Sequence, residues 1–170
     1  IQHDFSLPYV ARHSGATQPL PYRIAALWGG HEGAMLLWVV LLSVWTFALT
    51  FGLKAWPARH KTRALGVLLW LVAGFLLFLL FASDPFERLL PSASEGRGLN
   101  PLLQNPAMVL HPPLLFLGTA GLSVPYALAV VALLEGECEA EWLHALRPWL
   151  AAAWGFMTLG IGLGAWWAYT

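Results

Sequence analysis

Residues 34–53 read AMLLWVVLLSVWTFALTFGL and carry no charge. A helix of twenty residues rises about 30 Å, the thickness of a bilayer's hydrocarbon core. A surface helix of a soluble domain would show a polar face at the helical period, and this stretch shows none. Three further stretches read the same way, at 64–83, 112–134 and 149–169. In lipid every backbone amide needs a partner within the protein, and a helix supplies it locally. A barrel would need segments of about ten residues with apolar and polar positions alternating, whereas these runs are apolar on every face. The fold class that follows is all-α, a polytopic transmembrane helical bundle with four membrane-spanning helices. Pro125, near the middle of the third stretch, predicts a kink there.

Composition agrees. Hydrophobic residues make up 58% of the 170 and charged residues 11%, against roughly 25% charged in a soluble domain. Nine Lys and Arg balance nine Asp and Glu, and no basic patch offers a footprint for nucleic acid. There is no P-loop, no GxGxxG and no readable Ser-His-Asp set, and His31-Glu32 lacks the second histidine of HExxH. No charged residue lies inside the four stretches, which argues against an ion or proton pathway through them. Cys138 stands alone and reads as a loop cysteine. With no initiator Met and no signal-peptide pattern, the chain reads as an internal fragment.

The connecting stretches set orientation. Residues 54–63 (KAWPARHKTR) hold Lys54, Arg59, Lys61 and Arg63, and residues 135–148 add Arg147. The other side spreads Arg12, Arg23, Arg88 and Arg97 over much longer segments. The excess of basic residues in short cytoplasmic loops makes 54–63 and 135–148 the cytoplasmic loops, with 1–33 and 84–111 as the outer loops. Trp28, Trp56, Trp142, Trp149, Trp166 and Trp167 fall near the predicted span ends, where indoles form an interfacial belt. Trp38, Trp45, Trp70 and Trp154 fall inside spans, and there helix packing or lipid contact competes with contact to a cofactor. Gly160 and Gly164 form a GxxxG pattern, which lets another helix approach closely and predicts that the fourth span is buried in the parent protein.

Few side chains are left to carry chemistry. His111 opens His111-Pro112-Pro113 at the outer end of the third stretch, at or just before a helix N-cap, since Pro is tolerated in a first turn. Two readings stay open for it: an axial ligand for haem iron, or an interfacial histidine bonded to the preceding loop. His31 and Glu32 lie in Trp28-Gly29-Gly30-His31-Glu32-Gly33. Glu32 would cap the first span, where the helix dipole favours an anion, or the pair forms an outer site to which the flanking glycines give close approach. His3 and His13 read as solvated loop residues that could line such a site. His60 and His144 are assigned no role.

Several stretches together resemble the CcmF/NrfE family of cytochrome c haem lyase subunits. Asp4-Phe5-Ser6, Tyr9-Val10-Ala11 and His13-Ser14 look like that family's outer segment. Trp28–Gly33 followed by Leu36-Leu37-Trp38 resembles its WGxHEGS-LLW motif. Residues 96–118 (GRGLNPLLQNPAMVLHPPLLFLG) are the most specific match, and Arg147-Pro148-Trp149, Ala153-Trp154, Leu159–Gly164 and Trp167-Ala168-Tyr169 continue the resemblance in order. The resemblance implies haem delivery and ligation during cytochrome c maturation, in a haem-handling family with a tryptophan-rich WWD domain. It implies a haem chaperone, apocytochrome c and other maturation subunits as partners, besides membrane lipid. The implied place is a bacterial inner membrane, with the functional face periplasmic. His111 matches the first of two outer haem-ligating histidines, and Trp166 and Trp167 would contact the haem edge. The haem, b-type and transient, would be completed by residues outside this chain. Thr170 stands where an aromatic residue is expected. Catalytic residues of the implied lyase are not identified. Two other readings remain, a non-catalytic scaffold of the maturation complex and a haem transporter.

Overall fold

A computed structural model describes residues 2–53, 56–136 and 140–169. Cys138, Lys54 and Thr170, named above, lie outside the described residues. The described chain is helical throughout, with no strand among the described residues. Two short helices, α1 (Pro8–His13) and α2 (Leu20–Ala25), precede α3 (His31–Gly52). The long helices continue with α4 (Ala58–Ala82), α5 (Pro106–Gly121), α6 (Ser123–Glu135) and α7 (Ala140–Trp167). Four helical stretches, α3, α4, α5 with α6, and α7, are long and apolar enough to cross a membrane. The architecture is that of a multi-pass membrane protein.

The helices extend past the apolar runs that predict them. α3 begins at His31, α4 takes in Arg59, Lys61 and Arg63, α5 begins at Pro106, and α7 begins at Ala140. Helix propagation adds one hydrogen bond per residue and does not stop where hydrophobicity does. Much of 54–63 and 135–148, read above as loops, is therefore helix. The third stretch is interrupted as Pro125 predicts. The break falls at Leu122, between Gly121 and Ser123, because Pro125 has no N–H for the Gly121 carbonyl four residues back.

Leu42 and Leu49 of α3, Leu68 of α4, and Val124, Leu128 and Val131 of α6 are fully buried and form the centre of the core. Trp142, expected at the interface, joins them at 6% exposure. Its ring meets Trp56 edge-on at 4.4 Å between centroids. The outward faces of the bundle are apolar instead of polar: Trp70 is 80% and Phe81 85% exposed. Such faces suit lipid or other helices, not water.

α5 and α7 form the most extensive helix pair. Glycine makes this approach possible. A methyl group on Gly118 would lie 2.5 Å from the Met157 amide nitrogen, and one on Gly160 would lie 2.8 Å from that of Leu115. The GxxxG face of α7 is thus used within this chain, against α5, and needs no absent segment to explain it. Three indoles also pin α5. Trp45 Nε1 donates to the Leu117 carbonyl at 2.8 Å, Trp38 Nε1 to Thr119 Oγ1 at 3.3 Å, and Trp28 Nε1 to the Met108 carbonyl at 3.4 Å.

The two long segments at one end of the bundle, 2–30 and 84–105, are zipped together. Leu89 N–H donates to the Ser6 carbonyl (2.7 Å), Arg97 N–H to Ala11 (2.8 Å) and Gly98 N–H to Ser14 (3.1 Å). Gly98 has φ +78°, a conformation that glycine adopts freely. Arg88 closes the zip with an ion pair to Asp4 (3.0 Å) and a hydrogen bond to Ser6 Oγ. The Ser6 hydroxyl above all, helped by the Ser6 amide and Arg88, holds the Asp4 carboxyl below its ordinary range against desolvation, the second-largest effect.

Tyr9 anchors this region to α3. Its hydroxyl donates to the Ala26 carbonyl (3.0 Å), with Leu27 O at 3.2 Å, and accepts from Gly30 N–H (3.1 Å). Burial pushes its pKa up to about 12, with the Glu32 carboxylate adding to the shift.

Two outcomes follow for stability. Gly118→Ala forces the α5 and α7 backbones apart and should cost about 1–3 kcal/mol, the range for overpacking, read as a fall in thermal midpoint in detergent. Tyr9→Phe leaves buried partners unmade and should cost about 1–3 kcal/mol. Because the folded-state pKa of Tyr9 lies above the ordinary value of 10, its contribution is complete below pH 10 and is lost as pH rises towards 12. Alkaline unfolding curves should show this loss in the wild type, with a smaller loss in that window in Tyr9→Phe.

Candidate functional site

His111 sits in the second turn of α5, not at its N-cap. The cap is Asn105, whose Oδ1 accepts from Ala107 N–H at 2.9 Å, and Pro106 takes the first helical position. The helix starts early because Asn-Pro is a better start signal than His-Pro-Pro. Pro112 and Pro113 therefore lie inside the helix and remove the donors for the carbonyls of Met108 and Val109, four residues back. Trp28 Nε1 occupies the Met108 carbonyl, which links the Trp28–Gly33 segment to the turn that carries His111.

The His111 ring lies against α7, half-buried. Nδ1 is 2.7 Å from the Gly160 carbonyl oxygen. A carbonyl only accepts, so Nδ1 carries a proton, and in the neutral form of the ring the lone pair is on Nε2. Nε2 has no hydrogen-bond partner among the described residues. The ring fits because Gly164 has no side chain. A methyl group there would lie 2.6 Å from Cε1 and 2.8 Å from Nδ1. Trp167 completes the surround, its ring centroid 6.2 Å from that of His111 at 47°. Trp166 is 53% exposed and has no ring contact with His111 among the described residues.

His31 and Glu32 occupy the first two positions of α3, after Gly30 at the N-cap. Glu32 therefore lies in the first turn and does not cap by hydrogen bond, though its charge still suits the dipole there. His31 Nδ1 is 3.2 Å from Ser83 Oγ, and its ring meets Phe78 at 6.4 Å. No hydrogen bond, ion pair or ring contact among the described residues joins this pair to His111. His31 looks to α4, while His111 looks to α7.

The other histidines of this end are structured rather than solvated. His13, in α1, donates from Nδ1 to the Tyr9 carbonyl (2.9 Å) and stacks on the Tyr9 ring at 4.5 Å. His3 Nε2 accepts from Arg23 at 2.7 Å. Side chains on Gly30 and Gly33 would collide with His13 and Tyr9, which accounts for the glycines flanking His31-Glu32 through packing.

The described residues hold no group of three His, Cys, Asp or Glu side chains able to bind a bare metal ion. A bare cation needs several protein donors. Haem iron, with four donors from the porphyrin, needs one or two. A single neutral imidazole with an unbonded Nε2 beside an indole fits haem iron and does not fit a bare cation.

The family described as cytochrome C assembly protein matches residues 28–170. The chain is 48% identical over 170 residues to the cytochrome c-type biogenesis protein CcmF of Escherichia coli, covering 99% of this chain and 26% of that protein. It is 46% identical over 168 residues to CcmF of Haemophilus influenzae, with 98% and 26% covered. It is 42% identical over 166 residues to the cytochrome c-type biogenesis protein NrfE of Haemophilus influenzae, with 98% and 26% covered. The chain thus spans about a quarter of the length of these relatives. No solved structure matches it. With the matched region running from Trp28 through His111 and the glycine face of α7, the chain belongs to the cytochrome c assembly protein family.

Proposed function

We propose that this chain is the part of a cytochrome c maturation protein that ligates haem iron through His111 Nε2. The haem would come from a membrane haem chaperone and be presented to apocytochrome c for thioether attachment. The observation that carries this reading is the hydrogen bond from His111 Nδ1 to the Gly160 carbonyl, which leaves Nε2 as the free lone pair beside Trp167. The names of the relatives support the cytochrome c maturation role.

The tasks of the chain's own residues follow from their positions. His111 offers one neutral donor atom with a set orientation. Trp167 provides an apolar wall next to it, and Trp166, more exposed, would touch the edge of a bound macrocycle. Pro112 and Pro113 stiffen the turn that bears the ligand. Haem, when bound, supplies the iron and the vinyl groups that the cytochrome cysteines attack. The protein contributes orientation. Further ligands, and subunits that complete the lyase, lie outside this chain. The site would face the periplasm from a bacterial inner membrane, at the end of the bundle that carries the zipped segments 2–30 and 84–105. His31 and Glu32 would line the approach rather than bind iron, because His31 turns to Ser83 and Phe78 and the charge of Glu32 is felt at Tyr9.

The exposed apolar faces around Trp70, Phe81 and Trp154 favour a second reading, a scaffold that gathers maturation subunits without holding haem. The full-length protein, captured with its haem-loaded chaperone, separates the two. His111→Ala should lower captured haem by at least about tenfold, a change worth about 1.4 kcal/mol, with protein level and partner binding intact. Unchanged haem content and absorption spectrum in His111→Ala would overturn the ligand role and leave the scaffold.

A further inference from the structure

We infer that α7 decides whether His111 can act as a ligand, with Gly164 as a positioning residue and the Gly160 carbonyl as the partner that fixes the proton on Nδ1. The inference about the ring's tautomer stands on geometry alone; its consequence for haem rests on the proposed function.

The tautomer of a neutral imidazole decides what it can bind. Only one ring nitrogen has a free lone pair, and which one depends on the hydrogen bond that the other makes. A free histidine side chain prefers its proton on Nε2, the tautomer in which Nε2 cannot bind a metal. The Gly160 carbonyl, 2.7 Å from Nδ1, reverses that preference by holding the proton on Nδ1. The role belongs to the backbone of a residue forty-nine positions away, with no side chain of its own to announce it.

Two glycines on one face of α7 make the contact possible, each in a different way. Gly160 lies against the backbone of Leu115, where an added methyl group would come within 2.8 Å of the amide nitrogen and 2.9 Å of Cα. This close packing brings its carbonyl within reach of α5. Gly164, one turn further on, leaves the volume that the imidazole fills, with an added methyl group 2.6 Å from Cε1. An imidazole is rigid and has no flexible end to yield, so the ring itself must move. α5 cannot easily move in its place, since hydrogen bonds from Trp28, Trp38 and Trp45 hold it. Gly162 provides the internal control. It lies on the same helix between the two, and an added methyl group there meets nothing within 4 Å.

The test uses the full-length protein in lipid nanodiscs with ¹⁵N-labelled histidine, the His111 signals being assigned by their loss in His111→Ala. The wild type should show Nδ1 protonated and Nε2 unprotonated. Gly164→Ala should move the proton to Nε2 in part or in full, and should lower haem captured from the loaded chaperone about 10- to 100-fold, the usual scale for loss of such a supporting contact. Gly162→Ala should change neither. A wild-type ring protonated on Nε2 overturns the inference without any variant. Wild-type nitrogen signals in Gly164→Ala overturn it as well, and so does the same tautomer change in Gly162→Ala, which would mark a general disturbance of the helix. A tautomer shift in Gly164→Ala, with haem capture untouched there and in His111→Ala, would uphold the positioning role and sink the ligand reading instead.

Discussion

The contact between α5 and α7 is the point on which the other features hang. Two helix backbones normally stand apart by the thickness of their side chains. Here Gly118 on one helix and Gly160 and Gly164 on the other remove that layer. Within a membrane, where lipid tails are as apolar as Leu, close packing and hydrogen bonds between helices replace the hydrophobic effect as the force that pairs them. The same closeness that pairs the helices also puts a carbonyl of α7 opposite the imidazole of α5. Helix pairing and the setting of the His111 ring thus rest on the same three glycines.

Proline and tryptophan act as complements around this contact. Pro112 and Pro113 would weaken a helix in isolation, because each removes a backbone donor. At Met108 the missing donor is replaced by an indole N–H from Trp28. Trp38 and Trp45 add indole bonds further along the same helix. Tryptophan suits this work since its ring packs as a large apolar body while its single N–H finds an acceptor. Through Trp28, the segment that bears His31 and Glu32 bears on the geometry around His111 although it does not touch the imidazole.

The opposite end of the bundle meets a different constraint. α4 starts with Arg59, Lys61 and Arg63 in its first turns, where the helix dipole disfavours cations. Glu135, at the end of α6, offsets this. Its carboxylate, 6% exposed, lies 2.8 Å from Arg59 and also pairs with Arg63. Lys61 bonds the Thr50 carbonyl near the end of α3. Each of these three cations thus finds an acceptor on a neighbouring helix.

The helical class and the four spans were legible in the sequence, because long uncharged runs have only one way to satisfy their backbone in lipid. The break before Pro125 was legible for an equally local reason, a missing N–H. His111 was singled out in the sequence by its Pro-Pro neighbours and by the resemblance they carry. Its place in the second turn was not legible, since the Asn105-Pro106 start signal outcompeted the later one. Nor was the face of α7 that meets α5, because Gly160, Gly162 and Gly164 are alike as residues and differ only in what lies opposite them. Sequence by itself determined the four apolar helical stretches and that His111 carries an imidazole with a lone pair to offer. Only the tertiary structure decided which nitrogen of His111 keeps it, because the carbonyl that holds the other nitrogen comes from a distant helix brought close by packing.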